Sequence, residues 1–470
     1  MFRQALTACL LALLAVATAF AEAPRYTLDT LPEKDVWAGL AIGESKVGYS
    51  HAVIRRLDDG RYEILTEMAM FLRMLGFGKS IELRIRDVVD ADLRLERFES
   101  EYAMDGNTLT LAGRRAGRQL LVDVDNAGVR RRQTFDAPDL LLPAAGIGVY
   151  PLLRGLQPGA VHRYAAFSPE SLQVADVEQR IEVLDGGYAV HTRLQGAMGT
   201  VRLDAAGRYL SETAMGGAMR AEAVTREQAQ AWLAAARATD QDAIVALSLV
   251  KADKAIALPS HVARMQVVLE GVDLDMPSGA GQRCERAAGR WACELDSSLR
   301  EPPAADVSRW LRASFTVPSQ DPGIAALSRE ITSSAPSDEA RIEVLLRWLE
   351  ANIRKEGADA FSALDVLATR RAECQGHAWL YAALARAAGI PTRVVNGLVY
   401  SGEHAGFLYH TWAQSLAGGQ WRGVDPTFGQ ALADATHIQL FEGEDYGDMS
   451  PMADLIGRVA IRIGTFEYGR

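Results

Sequence analysis

Hydrophobic and polar positions divide the chain into two regimes. From about Tyr26 to Met219, apolar residues alternate with polar ones at a period of two, interrupted by turn pairs. Val36–Gly43, Lys46–Leu57, Ile81–Val88, Leu93–Tyr102, Leu109–Arg114, Gln119–Val124, Gln179–Leu184 and Tyr188–Leu194 read as strands. Asp58-Asp59-Gly60, Asp105-Gly106, Asp185-Gly186 and Ala206-Gly207 supply the turns between them. This pattern predicts a large, curved antiparallel sheet with no catalytic chemistry of its own. Its expected roles are docking a protein partner, covering an active site or binding an apolar ligand.

The second regime is mixed. Thr225–Ala238 reads as a helical connector, and about Ala243 to Phe315 as a second strand-rich unit broken by Pro302-Pro303. Beyond Pro318 the period becomes helical. Helices are expected at Ile324–Thr332 and at Asp338–Arg354, the latter capped by Ser337. Ser362–Thr369 then leads through Arg370–Glu373 into a further helix. There Trp379, Leu380, Ala383, Leu384 and Ala387 recur at helical spacing, and Gly389 with Pro391 stops it. The expected organisation is a signal peptide at 1–21, an antiparallel β-rich domain at 22–222, a helical connector at 223–240, a second β-rich unit at 241–317 and a catalytic domain at 318–470. The fold class is α+β.

The chemistry concentrates in the last of these. A lone cysteine on an apolar helix is usually a small buried hydrophobe, but Cys374 stands at the start of its helix. Unpaired backbone N–H groups and the positive end of the helix dipole favour a thiolate there. His410 in Tyr409-His410-Thr411-Trp412 and Asp425 in Trp421-Arg422-Gly423-Val424-Asp425-Pro426-Thr427 each fall at the edge of an expected strand, Gly406–Ser415 and Gln420–Asp425. A thiol, an imidazole to move its proton and a carboxylate to orient the imidazole are what acyl transfer by a cysteine nucleophile requires. His377 is expected to pack, His404 to sit in a solvated loop, His437 to support a turn and Asp434 to lie in a solvated loop or helix cap. Trp379, Trp412 and Trp421 read as core. No Cys/His cluster has zinc-ligand spacing and no calcium loop is visible, so no metal or cofactor is expected.

These segments resemble the transglutaminase-like superfamily of papain-related cysteine enzymes. The resemblance rests on Cys374 at a helix start, the Ala388-Gly389-Ile390-Pro391-Thr392-Arg393 turn, His410 with Trp412, and Trp421 with Asp425-Pro426-Thr427. Ala435-Thr436-His437-Ile438 looks like a bacterial branch of that family. It covers roughly Ser337 to Leu440. Many members carry Gly two residues before the cysteine, where this chain has Ala372. The resemblance implies a papain/transglutaminase-like catalytic domain with Cys374, His410 and Asp425 as its triad, acting on a protein or peptide substrate.

Compartment and charge complete the expectation. Arg3, the apolar run Ala5–Ala17 and Ala19-Phe20-Ala21 make a secretory signal peptide with a small-x-small cleavage site. Cys9 has too few residues before it for a lipoprotein signal. No other long apolar run follows, so the mature chain is expected to be periplasmic or secreted without stable membrane insertion. Cys284 and Cys293 flank a hairpin turn at Ala288-Gly289-Arg290, which suits a disulfide in an oxidising compartment and leaves Cys374 as the odd thiol. A net charge of −10 argues against a nucleic-acid partner, and Arg130-Arg131-Arg132 reads as one solvated strand end. The expected function is an exported cysteine acyl-transfer enzyme, with peptidase or amidase activity favoured. The alternatives are a protein-glutamine transamidase and a non-catalytic scaffold with the same fold.

Overall fold

The computed structural model describes residues 23–469 apart from 75–76, 195–196, 240–241, 243–247, 359, 446–447 and 449. The signal-peptide segment lies outside the described residues. The chain is largely β, with 48% strand and 19% helix, so the α+β expectation holds with strands dominant.

The N-terminal region is one fifteen-stranded sheet. Its first eight strands form a running antiparallel meander from Asp35–Ile42 to Val129–Asp136. In the second half Leu141–Pro143 pairs in parallel with Val161–Ser168, from which an antiparallel meander runs to Met219–Ala223, whose pairing with Asp35–Ile42 joins the two halves. The period-two pattern is visible in the burial. In Asn107–Ala116, Leu109 and Leu111 face the core while Thr108 and Thr110 face solvent. Phe98, Leu120, Val122 and Phe167 fill the same core. The arginine run lies at the solvated start of the strand Val129–Asp136, as expected. Cross-strand register sets Arg130 against Asp125 and Arg132 against Asp123, and both pairs are hydrogen-bonded.

The helix Arg226–Ala238 forms as expected, with a reciprocal cap between Thr225 and Gln228. It does not merely connect. Trp232 packs so closely over Gly39 that a side chain there would meet its ring at 2.6 Å. The helix therefore lies on the sheet rather than between units.

The second strand-rich unit is a four-stranded sheet. Gln282–Ala287 and Arg290–Asp296 form the expected hairpin, with Ala288 and Gly289 both in the left-handed region and Cys284 bonded to Cys293 across it. Its fourth strand, Ala460–Tyr468, comes from the end of the chain and pairs with Val262–Glu270. Val262, Met265 and Leu295 share one apolar cluster with Leu398, Phe407 and Ile438 of the following region. The 241–317 stretch therefore has no separate core.

The last region places a five-stranded sheet against helices. Cys374–Ala387 is buried nearly all round by Pro322–Thr332, Asp338–Asn352 and Ala363–Thr369. Leu380 and Leu384 are fully buried, each contributing about 1.5–3 kcal/mol of transfer free energy. The helix ends at Gly389 (φ +83°), whose N–H bonds the carbonyl of Arg386. In the sheet, Gly406–Ala417 pairs with Thr392–Ser401, which pairs in turn with Ile438–Glu442.

Gly397 controls that last pairing. It lies opposite His410, and a Cβ on it would meet the carbonyl oxygen of Ile438 at 1.9 Å. Gly397→Ala should push Ile438–Glu442 away and destabilise the fold by about 1–3 kcal/mol, read as a lower midpoint in urea denaturation. An unchanged midpoint would mean that the strand gives way freely.

Candidate active site

The three residues singled out by the sequence come from three elements. Cys374 opens its helix, His410 lies within Gly406–Ala417, and Asp425 directly follows Gln420–Val424. His410 Nε2 bonds Asp425 Oδ2 at 2.8 Å. Asp425 is fully buried. Its other oxygen accepts from the backbone N–H groups of Thr427 and Phe428 at 2.7 and 3.1 Å. With Nε2–H held by a carboxylate, Nδ1 is the nitrogen of His410 left to take a proton. Cys374 and His410 line one cleft of about 800 Å³, together with Tyr400, Leu408, Tyr409 and Phe428. The backbone N–H of Thr411, next to His410, donates toward the Cys374 sulfur.

His437 exceeds its expected role. Its Nε2 bonds Asp425 Oδ2 at 2.9 Å and its Nδ1 bonds the Asp434 backbone oxygen at 3.0 Å. Both partners only accept, so both ring nitrogens carry protons and the ring is an imidazolium. Burial opposes that charge, but Asp425 and Asp434 outweigh it and push the His437 pKa up to about 10. Burial would likewise raise Asp425, but His410 and His437 hold its carboxyl well below the usual range. Asp434 is not in a solvated loop. It is buried and accepts from the Thr436 N–H at 2.8 Å and hydroxyl at 2.6 Å, which fixes the turn that presents His437. The Ala435-Thr436-His437-Ile438 run was the available signal; the partners it reaches were not.

The ligand-type atoms of His410, Asp425 and His437 lie within 4.8 Å of one another, a spacing shared with metal sites. Here both imidazoles spend Nε2–H on the same carboxylate oxygen, so hydrogen bonds account for the spacing of the trio. His377 is buried with Nδ1 on the Glu373 carbonyl, and His404 bonds Ser401. Trp379, Trp412 and Trp421 are core residues. Ala372 is buried, and its methyl packs where a side chain on Gly376 would stand.

The thiol departs from the low pKa expected at a helix N-terminus. Burial pushes it up and the Glu373 carboxylate adds to this, while the Thr411 N–H and Lys79 pull the other way. Glu373 Oε2 lies 3.9 Å from the sulfur. In this resting geometry the thiol keeps its proton.

Residues 325–426 match the model of the Transglutaminase-like superfamily. The segment is a transglutaminase-like domain. Related sequences share this part of the chain. Mouse (Mus musculus) kyphoscoliosis peptidase is 28% identical over 131 residues, covering 24% of this chain and 19% of that protein. An uncharacterised protein of Mycobacterium leprae is 33% identical over 97 residues, covering 19% of this chain and 34% of that one. The chain thus spans a third or less of the length of these relatives. Among solved structures, a candidate cysteine protease from Cytophaga hutchinsonii is 15% identical, covering 45% of this chain and 84% of that chain, with a TM-score of 0.31. A β-barrel-like domain of unknown function from Brucella abortus is 9% identical, covering 41% of this chain and 95% of that one, with a TM-score of 0.32. The transglutaminase-like domain supports a papain-related cysteine enzyme as the general class.

His437→Gln keeps a polar side chain but removes the buried cation from Asp425. It should cost about 3–5 kcal/mol, the loss seen when one partner of a buried pair is removed. The folded-state value of His437 lies above its ordinary 6.5. Its contribution is therefore complete below pH 6.5 and declines as the pH rises through about 10. Urea titrations of both proteins across that window should show the gap closing on the alkaline side. A gap that widens there would show that the ring is neutral.

Proposed function

We propose that this chain is an exported cysteine acyl-transfer enzyme that cleaves an amide in a protein or peptide substrate. The observation that carries the reading is the His410–Asp425 hydrogen bond at a cleft that Cys374 also lines. In the proposed reaction, the Cys374 proton passes to His410 Nδ1 as the sulfur attacks the substrate carbonyl carbon and a C–S bond forms. Asp425 holds the imidazolium that results. The tetrahedral intermediate collapses, the C–N bond breaks, and His410 returns the proton to the departing amine. Water, deprotonated by His410, then attacks the thioester carbon, the C–S bond breaks, and His410 returns the proton to the departing sulfur, giving the carboxylic acid and the free thiol.

Transfer of the acyl group to an amine instead of water would make the enzyme a transamidase. The cleft lining includes the exposed Gly402 and Glu403, and a site open to solvent favours hydrolysis. The peptidase in the name of the mouse relative points the same way over the shared segment. Export is supported by the Cys284–Cys293 disulfide. Among the described residues, no helix is long and apolar enough to cross a membrane.

The test is turnover of a fluorogenic peptide library by the mature chain, with and without a labelled primary amine. Cleavage should appear with the wild type and vanish in Cys374→Ala. Asp425→Asn should lower kcat by about 10³–10⁴-fold, the scale known for the orienting carboxylate of a serine triad. Incorporation of the amine in place of cleavage would overturn hydrolysis. Absence of any Cys374-dependent product would favour a scaffold.

A further inference from the structure

The N-terminal sheet reaches the proposed nucleophile. Lys79, on the strand Phe77–Val89, has a side chain only 4% exposed, and its Nζ lies 3.9 Å from Glu373 Oε2. That same carboxylate oxygen is the one 3.9 Å from Cys374 Sγ. A lysine is almost never buried to this degree unless paired. Glu373 is itself unusual. It occupies the N-cap of the nucleophile helix, where Ser, Thr, Asp or Asn is preferred, and its side chain makes no capping hydrogen bond. Helix capping therefore does not account for a glutamate at this position.

The approach is held at other points too. Asn126 donates to the Ser362 hydroxyl at 2.7 Å, and Arg371 donates to the Asp105 carbonyl at 3.4 Å. Phe361 is buried in the sheet's own core beside Phe98 and Val124. The segment that leads into Cys374 is thus clasped by the sheet along its length, and Lys79 is fixed relative to the sulfur.

We propose that Lys79 is a positioning residue of this active site: its ammonium holds and offsets the Glu373 carboxylate beside Cys374, so that the N-terminal sheet sets the pH at which the thiol ionises. The inference deepens the reading of Cys374 as nucleophile and rests on it. Among the described residues, the charges that act on the sulfur are Glu373 at the N-cap of its helix, Asp425 after Gln420–Val424, and Lys79, while His410, Lys355, Glu356, Glu403, His404 and Asp434 line the same cleft. Asp425 is already balanced by His437. Glu373 is the anion nearest the sulfur whose charge Lys79 meets. Neutralising Lys79 leaves that anion less opposed and disfavours the thiolate. Neutralising Glu373 has the opposite effect.

The experiment follows the rate at which neutral iodoacetamide alkylates Cys374 in the full mature chain as pH is varied, read by peptide mass. An uncharged reagent does not itself respond to a lost lysine. Lys79→Met should raise the midpoint by about 1 pH unit and Glu373→Gln should lower it by about 1, the scale of a charge at this separation. Lys79→Arg should keep the wild-type midpoint. Midpoints that stay at the wild-type value, or that move in the same direction in both neutral variants, would overturn the proposal. If Lys79→Met does not fold, Glu373→Gln decides alone, and an unshifted midpoint there overturns it. Peptide cleavage is scored separately. Cleavage with unshifted midpoints would sink the Lys79 role alone, whereas shifted midpoints without any cleavage would sink the enzymatic reading.

Discussion

A carboxylate with no exposure to water is the constraint around which the candidate site is built. Asp425 cannot stay ionised in that position without donors on every side, and it has four: two imidazoles and two backbone N–H groups. Each donor fixes something else. The His410 bond fixes which ring nitrogen is free to move a proton. The two backbone bonds fix the turn after Gln420–Val424. The His437 bond ties in the strand Ile438–Glu442, whose close approach to Gly397 excludes any larger residue there. Stability and proposed chemistry therefore share one network, in which loss of one donor disturbs both.

The N-terminal sheet enters the same argument from the other side of the cleft. Nothing in its pattern suggests catalysis, and a groove of about 1090 Å³ on it is lined by arginines that include Arg86, paired with Glu63, and Arg132, paired with Asp123. Its contribution is mechanical and electrostatic. By burying Phe361 and bonding Ser362, it anchors the capping turn of Ala363–Thr369, where Asp365 accepts from the Phe361 and Ser362 N–H groups. That short helix and the three residues Arg370, Arg371 and Ala372 are all that separate the anchor from Glu373.

Local features of this architecture were legible in the chain; distant ones were not. Alternation in Leu109–Arg114 and Gln119–Val124 reports one buried face, because strand side chains alternate whatever the partner is. The cap at Ser337, the stop at Gly389 and the Cys284–Cys293 hairpin are written within a few residues of themselves. The pairing of Ala460–Tyr468 with Val262–Glu270 is not, since its partners lie almost two hundred residues apart in sequence. Lys79 beside Glu373 is hidden for the same reason: a lysine inside an alternating strand reads as a solvated face until another region covers it. Asp434 looked solvated because a polar loop carries no mark of what folds over it. The three site residues were visible because cysteine at a helix start, and His and Asp at strand edges, are rare enough to be noticed locally. The distance between them is information that only packing supplies.

A protonated resting thiol fits the proposed setting better than a permanently ionised one. In a compartment where Cys284 and Cys293 are joined, an exposed thiolate would exchange with disulfides or oxidise, since both reactions run through the ionised sulfur. Burial and Glu373 both push the Cys374 pKa up and so favour its protonated form. In the proposed reaction His410, held by Asp425, accepts that proton when a carbonyl carbon is close enough for the sulfur to attack. Reactivity would then depend on substrate being present rather than on the thiol's own equilibrium. On the proposed reading the raised pKa of Cys374 protects the sulfur, and the balance between Glu373 and Lys79 determines how much protection the site retains.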